Sequence, residues 1–226
     1  EYFEEWLRDV KRLNGDATFA QYDSIYRNHI KPVIGNLRVS SIKPSDVREV
    51  LSVMNTKVIE RRNKEGIVVS RQIGLSEKTM KHARFIMRTV FEKAVEEDGL
   101  LEENPVTKKV RVPKKQEKRQ RVLTIPELVA FFKEISNSRW VWSVWFNLVT
   151  GLRRGELLAL MSDDIDWENR RIRINKSNTR FGPSGTKNRK EDYIYLTKIA
   201  VYFLNKQLEM LKSEGNPVIL NGDGTM

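Results

Sequence analysis

The sequence predicts a mainly α-helical protein with a small antiparallel β-sheet, divided into two domains. Three observations predict it. Apolar residues recur at helical spacing through most of the first hundred positions, and a basic run interrupted by proline follows them. Beyond residue 160 the apolar period changes from helical to alternating. With 226 residues and 39% hydrophobic content, the chain can fill two cores of about 100 residues each.

Tyr2, Phe3, Trp6, Leu7 and Val10 place an amphipathic helix at the start of the sequence. A second is predicted from Thr18 to about Ile30, with Phe19, Tyr22, Ile25 and Tyr26 on one face. Pro32 stops it and Gly35-Asn36 turns the chain. A third opens near Pro44, whose fixed φ suits a first helical turn, and carries Val47, Val50, Leu51 and Met54. Residues 58–74 are basic and lack a helical period, which predicts a loop or a short hairpin around Gly66. Ser76 caps a fourth helix containing Met80, Phe85, Ile86, Val90, Phe91 and Ala94. Asn104-Pro105 ends this first domain, residues 1–106.

Residues 107–121 hold eight basic residues and one acidic one, with Pro113 among them. They read as an interdomain linker, either a solvated strap or a segment lying along DNA, where each phosphate contact releases counterions. The second domain, residues 122–226, opens with Thr124 and Glu127 as a capping box and Pro126 in the first turn. A helix over Leu128–Ile135 follows, then one over Trp140–Val149 whose aromatic content predicts burial. Gly151 suits the position that ends it. A short helix ends near Leu160. Ile165–Trp167 and Arg171–Asn175 alternate as a hairpin turned at Glu168-Asn169, and Tyr193–Tyr195 supplies a third strand. Thr197 caps an amphipathic helix with Ile199, Val201, Tyr202, Leu204 and Leu208. Pro217–Leu220 reads as a short extended run.

Charge narrows the function. Lys and Arg number 41 against 30 Asp and Glu, for a net +11. A second basic window, Arg171–Lys190, has seven cations and no acid, so each window is net +7 and the remaining surface is slightly acidic. Charge concentrated at two places suits a protein that grips nucleic acid along a defined path. The absence of cysteine removes disulfides, thiolate catalysis and Cys-ligated zinc. The two histidines, His29 and His82, lie far apart, which argues against a histidine metal site and a Ser-His-Asp triad. No cofactor and no metal are therefore expected. No apolar run approaches the ~18 residues of a membrane span, and the acidic N-terminus shows no secretory signal. A cytoplasmic location is expected.

The most informative stretch is Thr150-Gly-Leu-Arg-Arg-Gly-Glu-Leu157. It puts two arginines at a helix beginning, where the macrodipole disfavours cations. Arg153 and Glu156 are three apart and share a face, so a structural ion pair and a functional one both explain them.

Taken together, these segments resemble the tyrosine recombinases, specifically the integrases of temperate phages and conjugative transposons. His29-Ile-Lys-Pro-Val-Ile-Gly35, Ile42-Lys-Pro-Ser-Asp-Val47, Phe91-Glu-Lys-Ala-Val95 and Asn104-Pro105 look like the family's helical core-binding domain. Thr150–Leu157 looks like its first catalytic-arginine box, and Asp163-Asp-Ile-Asp166 like the acidic turn after it. Thr186-Lys187 with Tyr193-Ile-Tyr-Leu196 resembles the catalytic-lysine hairpin. The resemblance implies a helical core-binding domain joined to an α+β catalytic domain. It also implies site-specific DNA recombination by metal-free cleavage and rejoining through a 3′-phosphotyrosine. In it Arg153 is the first catalytic arginine, Glu156 the acid supporting the site, and Lys187 the hairpin lysine. Double-stranded DNA is the implied partner. The candidate contacts are Lys81 and Arg84 on the fourth helix and Lys114, Lys115, Lys118 and Arg119 in the linker. Arg154, Thr186 and Arg189 join them beside the catalytic set.

The family's later boxes, His-x-x-Arg followed by the nucleophilic tyrosine, do not occur before Met226. The expectation is a truncated catalytic domain that binds DNA without cleaving it and is monomeric alone, the full-length protein being tetrameric on paired sites. Met161-Ser162 stands where the family often has a tryptophan. A non-catalytic DNA-binding remnant or regulator at recombination sites is the alternative. A helical transcription factor would leave Arg153, Glu156 and Lys187 unexplained.

Overall fold

A computed structural model describes residues 1–115, 121–185 and 192–213. The protein is mainly α-helical with small antiparallel sheets, and its chain forms two compact units that divide between Arg119 and Gln120.

The first unit starts with α1 (Tyr2–Asn14), whose Phe3, Trp6, Leu7 and Val10 are buried as the periodicity requires. Next come α2 (Asp16–Ile25), a π-helical turn over Tyr26–Ile30 and α3 (Lys31–Ile34), so the helix runs through Pro32 instead of stopping there. The wider turn explains why. The Lys31 N–H reaches back five residues to the Tyr26 carbonyl, and Pro32 has no N–H to give the Asn28 carbonyl. Lys57 Nζ donates to that carbonyl instead, at 3.2 Å. Then α4 (Pro44–Thr56) begins at its proline, with Asp46 accepting from the Lys43 N–H at 2.8 Å. Residues 58–74 form an antiparallel hairpin, β1 (Val58–Arg62) with β2 (Val68–Ile73). Ser76 Oγ accepts from the Thr79 N–H and opens α5 (Glu77–Glu96). Most of the predicted stripe on α5 is buried, but Phe85 lies outside it, exposed and edge-on to Tyr22.

The core of this unit gathers α1, the π turn, α4 and α5, with Phe3 stacked on Tyr26 and edge-on to Phe91. Val106 and Val110 belong to the same core and Val112 packs against it. The basic run therefore lies along the helices as far as residue 115, because its two valines, Val110 and Val112, spaced among cations and following Val106, supply an apolar edge.

The second unit opens with α6 (Ile125–Glu134), where Glu127 accepts from the Thr124 N–H and hydroxyl. Next are α7 (Val141–Thr150) and the one-turn α8 (Arg154–Leu157). A three-stranded antiparallel sheet orders β3 (Ile165–Asp166), β4 (Arg171–Ile174) and β7 (Asp192–Tyr195). A separate hairpin pairs β5 (Lys176–Thr179) with β6 (Gly182–Gly185), and α9 (Lys198–Ser213) follows with Thr197 as its cap.

Buried Gln207 of α9 fixes the start of α7. Its Oε1 accepts from the Ser143 N–H and its Nε2 donates to the Arg139 carbonyl, both at 2.9 Å. Trp145 stacks between Phe132 and Phe203. The aromatic helix is not wholly enclosed, however. Val141 and Phe146 are buried, while Leu148 and Val149 of α7 and Val129 and Phe131 of α6 stay exposed. Pro217–Leu220 lies outside the described residues.

Candidate active site

The arginine box is shaped by a helix end. Gly151, at φ 67°, adopts the left-handed conformation and its N–H closes α7 on the Asn147 carbonyl. Leu152 is buried and anchors the turn, so the next residue, Arg153, stands in extended conformation as the N-cap of α8. Glu156 holds it with both oxygens. Oε2 accepts from the Arg153 N–H at 2.9 Å, and Oε1 accepts from the Arg153 guanidinium at 2.7 Å. The Arg153 side chain is 85% exposed and that of Glu156 only 11%. The acid thus sits inside as a strut while the guanidinium is presented to solvent. A charge-assisted fork held from one side can offer its other N–H groups to an anion.

The residues behind α8 determine where this arginine stands. Gly155 faces β5: a Cβ there would overlap Ser177 Oγ and approach the Asn178 carbonyl oxygen to 2.9 Å. At the base of the same strand, Lys176 Nζ meets the buried Asp164 carboxylate at 2.9 Å. Asp164 is 1% exposed, accepts from the Met161 N–H at 3.0 Å and also pairs with Arg173. The acidic turn therefore has an internal role that its sequence spacing alone does not reveal. Asp166, two residues on, closes the β3–β4 turn. Hydrogen bonds from the Asn169 N–H and side chain, then from Arg171, hold its carboxyl down at about 2.

Arg154 is exposed and lines a cleft of about 270 Å³ with Trp140, Asn147, Leu157 and Leu158. In the first unit, a cleft of about 750 Å³ is lined by Lys81, Arg84, Phe85, Arg88, Arg111 and Lys114. Arg84 is tied into its wall, donating to the Val110 carbonyl at 2.8 Å and the Thr107 carbonyl at 3.2 Å. Lys115 is tied as well, with its N–H on Glu77 and its Nζ on the Ile73 carbonyl. Lys81 pairs with Glu77. Lys118, Arg119, Thr186, Lys187 and Arg189 lie outside the described residues.

The structure thus brings Arg153 and Glu156 together and gathers Lys81, Arg84 and Lys114 around one cleft. Sequence reasoning did not single out Arg88, Lys108 and Arg111, which also line that cleft, as does the acidic Glu77. Arg111 was within reach, being in the basic run; Arg88 carries no signal that separates it from any helical cation.

The fold, a mainly helical unit carrying one β-hairpin followed by an α+β unit with an arginine turn against a basic hairpin, matches known families. Residues 1–54 match the family model described as phage integrase, N-terminal SAM-like domain, and residues 121–222 match that of the phage integrase family. A tyrosine recombinase XerC-like protein of Caldanaerobacter subterraneus subsp. tengcongensis is 30% identical over 178 residues. That alignment takes in 76% of this chain and 41% of the relative. The integrase of Mycobacterium phage L5 is 28% identical over 184 residues, 80% of this chain and 43% of that protein. The chain therefore spans less than half the length of either relative. Among solved structures, the Tn1549 transposon integrase in complex with transposon right end DNA superposes with a TM-score of 0.71 at 22% identity. It covers 92% of this chain and 64% of that one. A lambda integrase dimer bound to a core site gives 0.69 at 17% identity, covering 93% and 69%. The chain belongs to the tyrosine recombinase family of phage-type integrases.

Proposed function

We propose that these 226 residues grip duplex DNA and supply the first arginine and the lysine of a site-specific recombinase. The observation that carries this reading is the Arg153 guanidinium, exposed to solvent yet oriented by the nearly buried Glu156. With Glu156 on one side, the rest of the guanidinium faces solvent, where it can meet an anion. The relatives and the DNA-bound neighbours support duplex DNA as the ligand.

In the proposed reaction a tyrosine hydroxyl loses its proton to water as its oxygen attacks the scissile phosphorus. The P–O5′ bond breaks, the 3′ phosphate becomes a phosphotyrosine ester and the 5′ oxygen leaves as a hydroxyl. The Arg153 fork pairs with non-bridging oxygens as charge builds on them. Lys187 donates the proton that the leaving 5′ oxygen takes up. No metal is required, because the guanidinium stays charged at all working pH values. No His-x-x-Arg segment occurs in these residues, and none of their tyrosines is proposed as the nucleophile. The 226-residue chain is therefore proposed to bind DNA as a monomer without cutting it, and to act in the cytoplasm as part of a tetramer when the whole recombinase assembles on paired sites.

Two measurements test this. Binding of the 226-residue chain to a mixed-sequence duplex should weaken steeply with salt, with a slope of about −0.9 in log K against log salt for each phosphate contacted. A flat slope would remove DNA as the ligand. With a nicked suicide duplex the same chain should give no covalent adduct, and an adduct would show that it contains its own nucleophile.

A further inference from the structure

We infer that Gly155 is a positioning residue: by letting α8 lie directly on β5, it sets the placement of the basic hairpin relative to Arg153. The proposal rests on the reading of Arg153 and Lys187 given above for its catalytic consequence, but its geometric core stands on the described residues alone.

Three consecutive residues of β5 bear on where the hairpin lies: one is tied to the acidic turn and two lie against α8. Lys176 is drawn to the buried Asp164 carboxylate at 2.9 Å. Ser177 Oγ and the Asn178 carbonyl oxygen then occupy the space that a side chain at position 155 would need. Residue 155 lies two positions after Arg153 and immediately before Glu156, which holds that arginine by its N–H and its guanidinium. Displacing α8 from β5 would therefore move the carboxylate strut and the guanidinium together. On the other side, β5 pairs with β6 from Lys176↔Gly185 to Thr179↔Gly182. Lys187 follows Gly185 by two residues. A shift of β5 passes through the hydrogen-bonded ladder into β6, and the catalytic consequence proposed is a displaced Lys187. Helix propensity gives no reason for glycine inside α8, where it costs about 1 kcal/mol relative to alanine. Close approach of a second backbone gives the reason.

The seam makes a specific expectation. Adding one methyl at position 155 cannot be absorbed by a flexible side-chain end alone, because one of the two obstructing atoms is the Asn178 backbone carbonyl. The strand must give way. A misplacement of about 1 Å can cost on the order of 10²-fold in rate.

The test has two arms. In the first, the cysteine-free 226-residue chain carries spin labels at Leu158→Cys and Arg180→Cys, one beside α8 and one at the hairpin turn. Gly155→Ala should shift or broaden the distance distribution between them, and adding Ser177→Gly should move it back toward the starting one. Ser177→Val, which crowds the seam from the strand side and leaves α8 unaltered, should displace the hairpin in the same sense and serves if Gly155→Ala fails to fold. An unchanged distribution in either crowded variant overturns the proposal.

In the second arm, a chain carrying residues 1–226 together with the nucleophilic tyrosine is assayed on an ordinary duplex and on one with sulfur in the bridging 5′ position. The thiolate leaves without a proton. On the ordinary duplex Lys187→Ala and Gly155→Ala should both lose about 10²-fold; on the sulfur-bridged one Lys187→Ala should recover and Gly155→Ala should recover in part, the remainder reflecting the displaced Arg153. Equal loss by Gly155→Ala on both substrates, while Lys187→Ala recovers, overturns the link from Gly155 to the lysine. Failure of Lys187→Ala itself to recover removes the lysine's role instead, and the label distances still decide whether the seam places the hairpin.

Discussion

Val47, Val50, Met54, Met80, Ile86 and Phe91 of the first unit have no solvent exposure, and α1, the π turn, α4 and α5 close around them. The second unit packs Phe146, Leu160, Ile172 and Leu204 about as tightly, yet Val129, Phe131, Leu148 and Val149 of its first two helices face outward. Charge is handled differently too. Arg84 and Lys115 of the first unit spend donors on its own carbonyls, so part of the basic charge there holds the strap in place. In the second unit Arg153 is supported by a near-buried acid and keeps its guanidinium in solvent. The contrast separates two settings of a cation: one spent on its own unit's carbonyls, and one held by an acid with its guanidinium left in solvent.

Substitutions can break that contrast. The largest effect should come from Phe91→Ala, which empties a fully enclosed aromatic site in the first unit and should cost about 4 kcal/mol. Followed by denaturant unfolding, that loss should be confined to the transition of the helical unit. Asp164→Ala should cost somewhat less, about 3 kcal/mol, and affect only the second unit, since it leaves Lys176 and Arg173 without their shared carboxylate. A loss spread evenly over both units in either case would contradict the division.

Charge gives the next prediction. Neutralising Lys114, Lys115, Lys118 and Arg119 together should flatten the salt slope of DNA binding by as much as about 3–4, at roughly 0.9 for each phosphate left without its cation. Because Lys115 also donates to the Ile73 carbonyl, Lys115→Gln alone should change the slope less than Lys114→Gln. Equal changes would mean that both lysines meet phosphate.

The smallest effect is pH-dependent. Asp166 has a carboxyl lowered to about 2 by Asn169 and Arg171, so its contribution to stability is complete above the ordinary carboxylate range. That contribution fades as pH falls from about 4 toward 2. In acid titrations followed by circular dichroism, Asp166→Asn should be less stable than the parent at neutral pH, and the two should converge near pH 2. A constant difference across that range would show that the residue acts by shape alone.

Much of this was legible from local signals. Apolar spacing located α1, α4 and α5, Ser76 and Thr124 with Glu127 marked helix starts, and Gly151 marked the end of α7. The Arg153–Glu156 pair could be seen because its partners lie three residues apart on one turn. What was missed depends on distant partners. Pro32 reads as a stop until Lys57, 29 residues away from Asn28, takes up the orphaned carbonyl. The strap reads as a linker, solvated or lying along DNA, until Val110 is seen inside the helical core. The aromatics of α7 predict full burial, but a helix can be enclosed only as far as other elements reach it. The approach of Gly155 to Ser177 and Asn178 joins residues more than 20 positions apart, and no periodicity announces it.

The most direct test of the proposed chemistry is Arg153→Lys in a chain that carries residues 1–226 together with the nucleophilic tyrosine, assayed on a suicide duplex. Lysine keeps the charge but cannot form two parallel bonds to phosphate oxygens. The predicted result is duplex binding within about twofold of the parent, with covalent adduct formation reduced by on the order of 10²-fold or more. Adduct formation at the parent's rate would place Arg153 outside the reacting site and leave its pair with Glu156 as a structural strut.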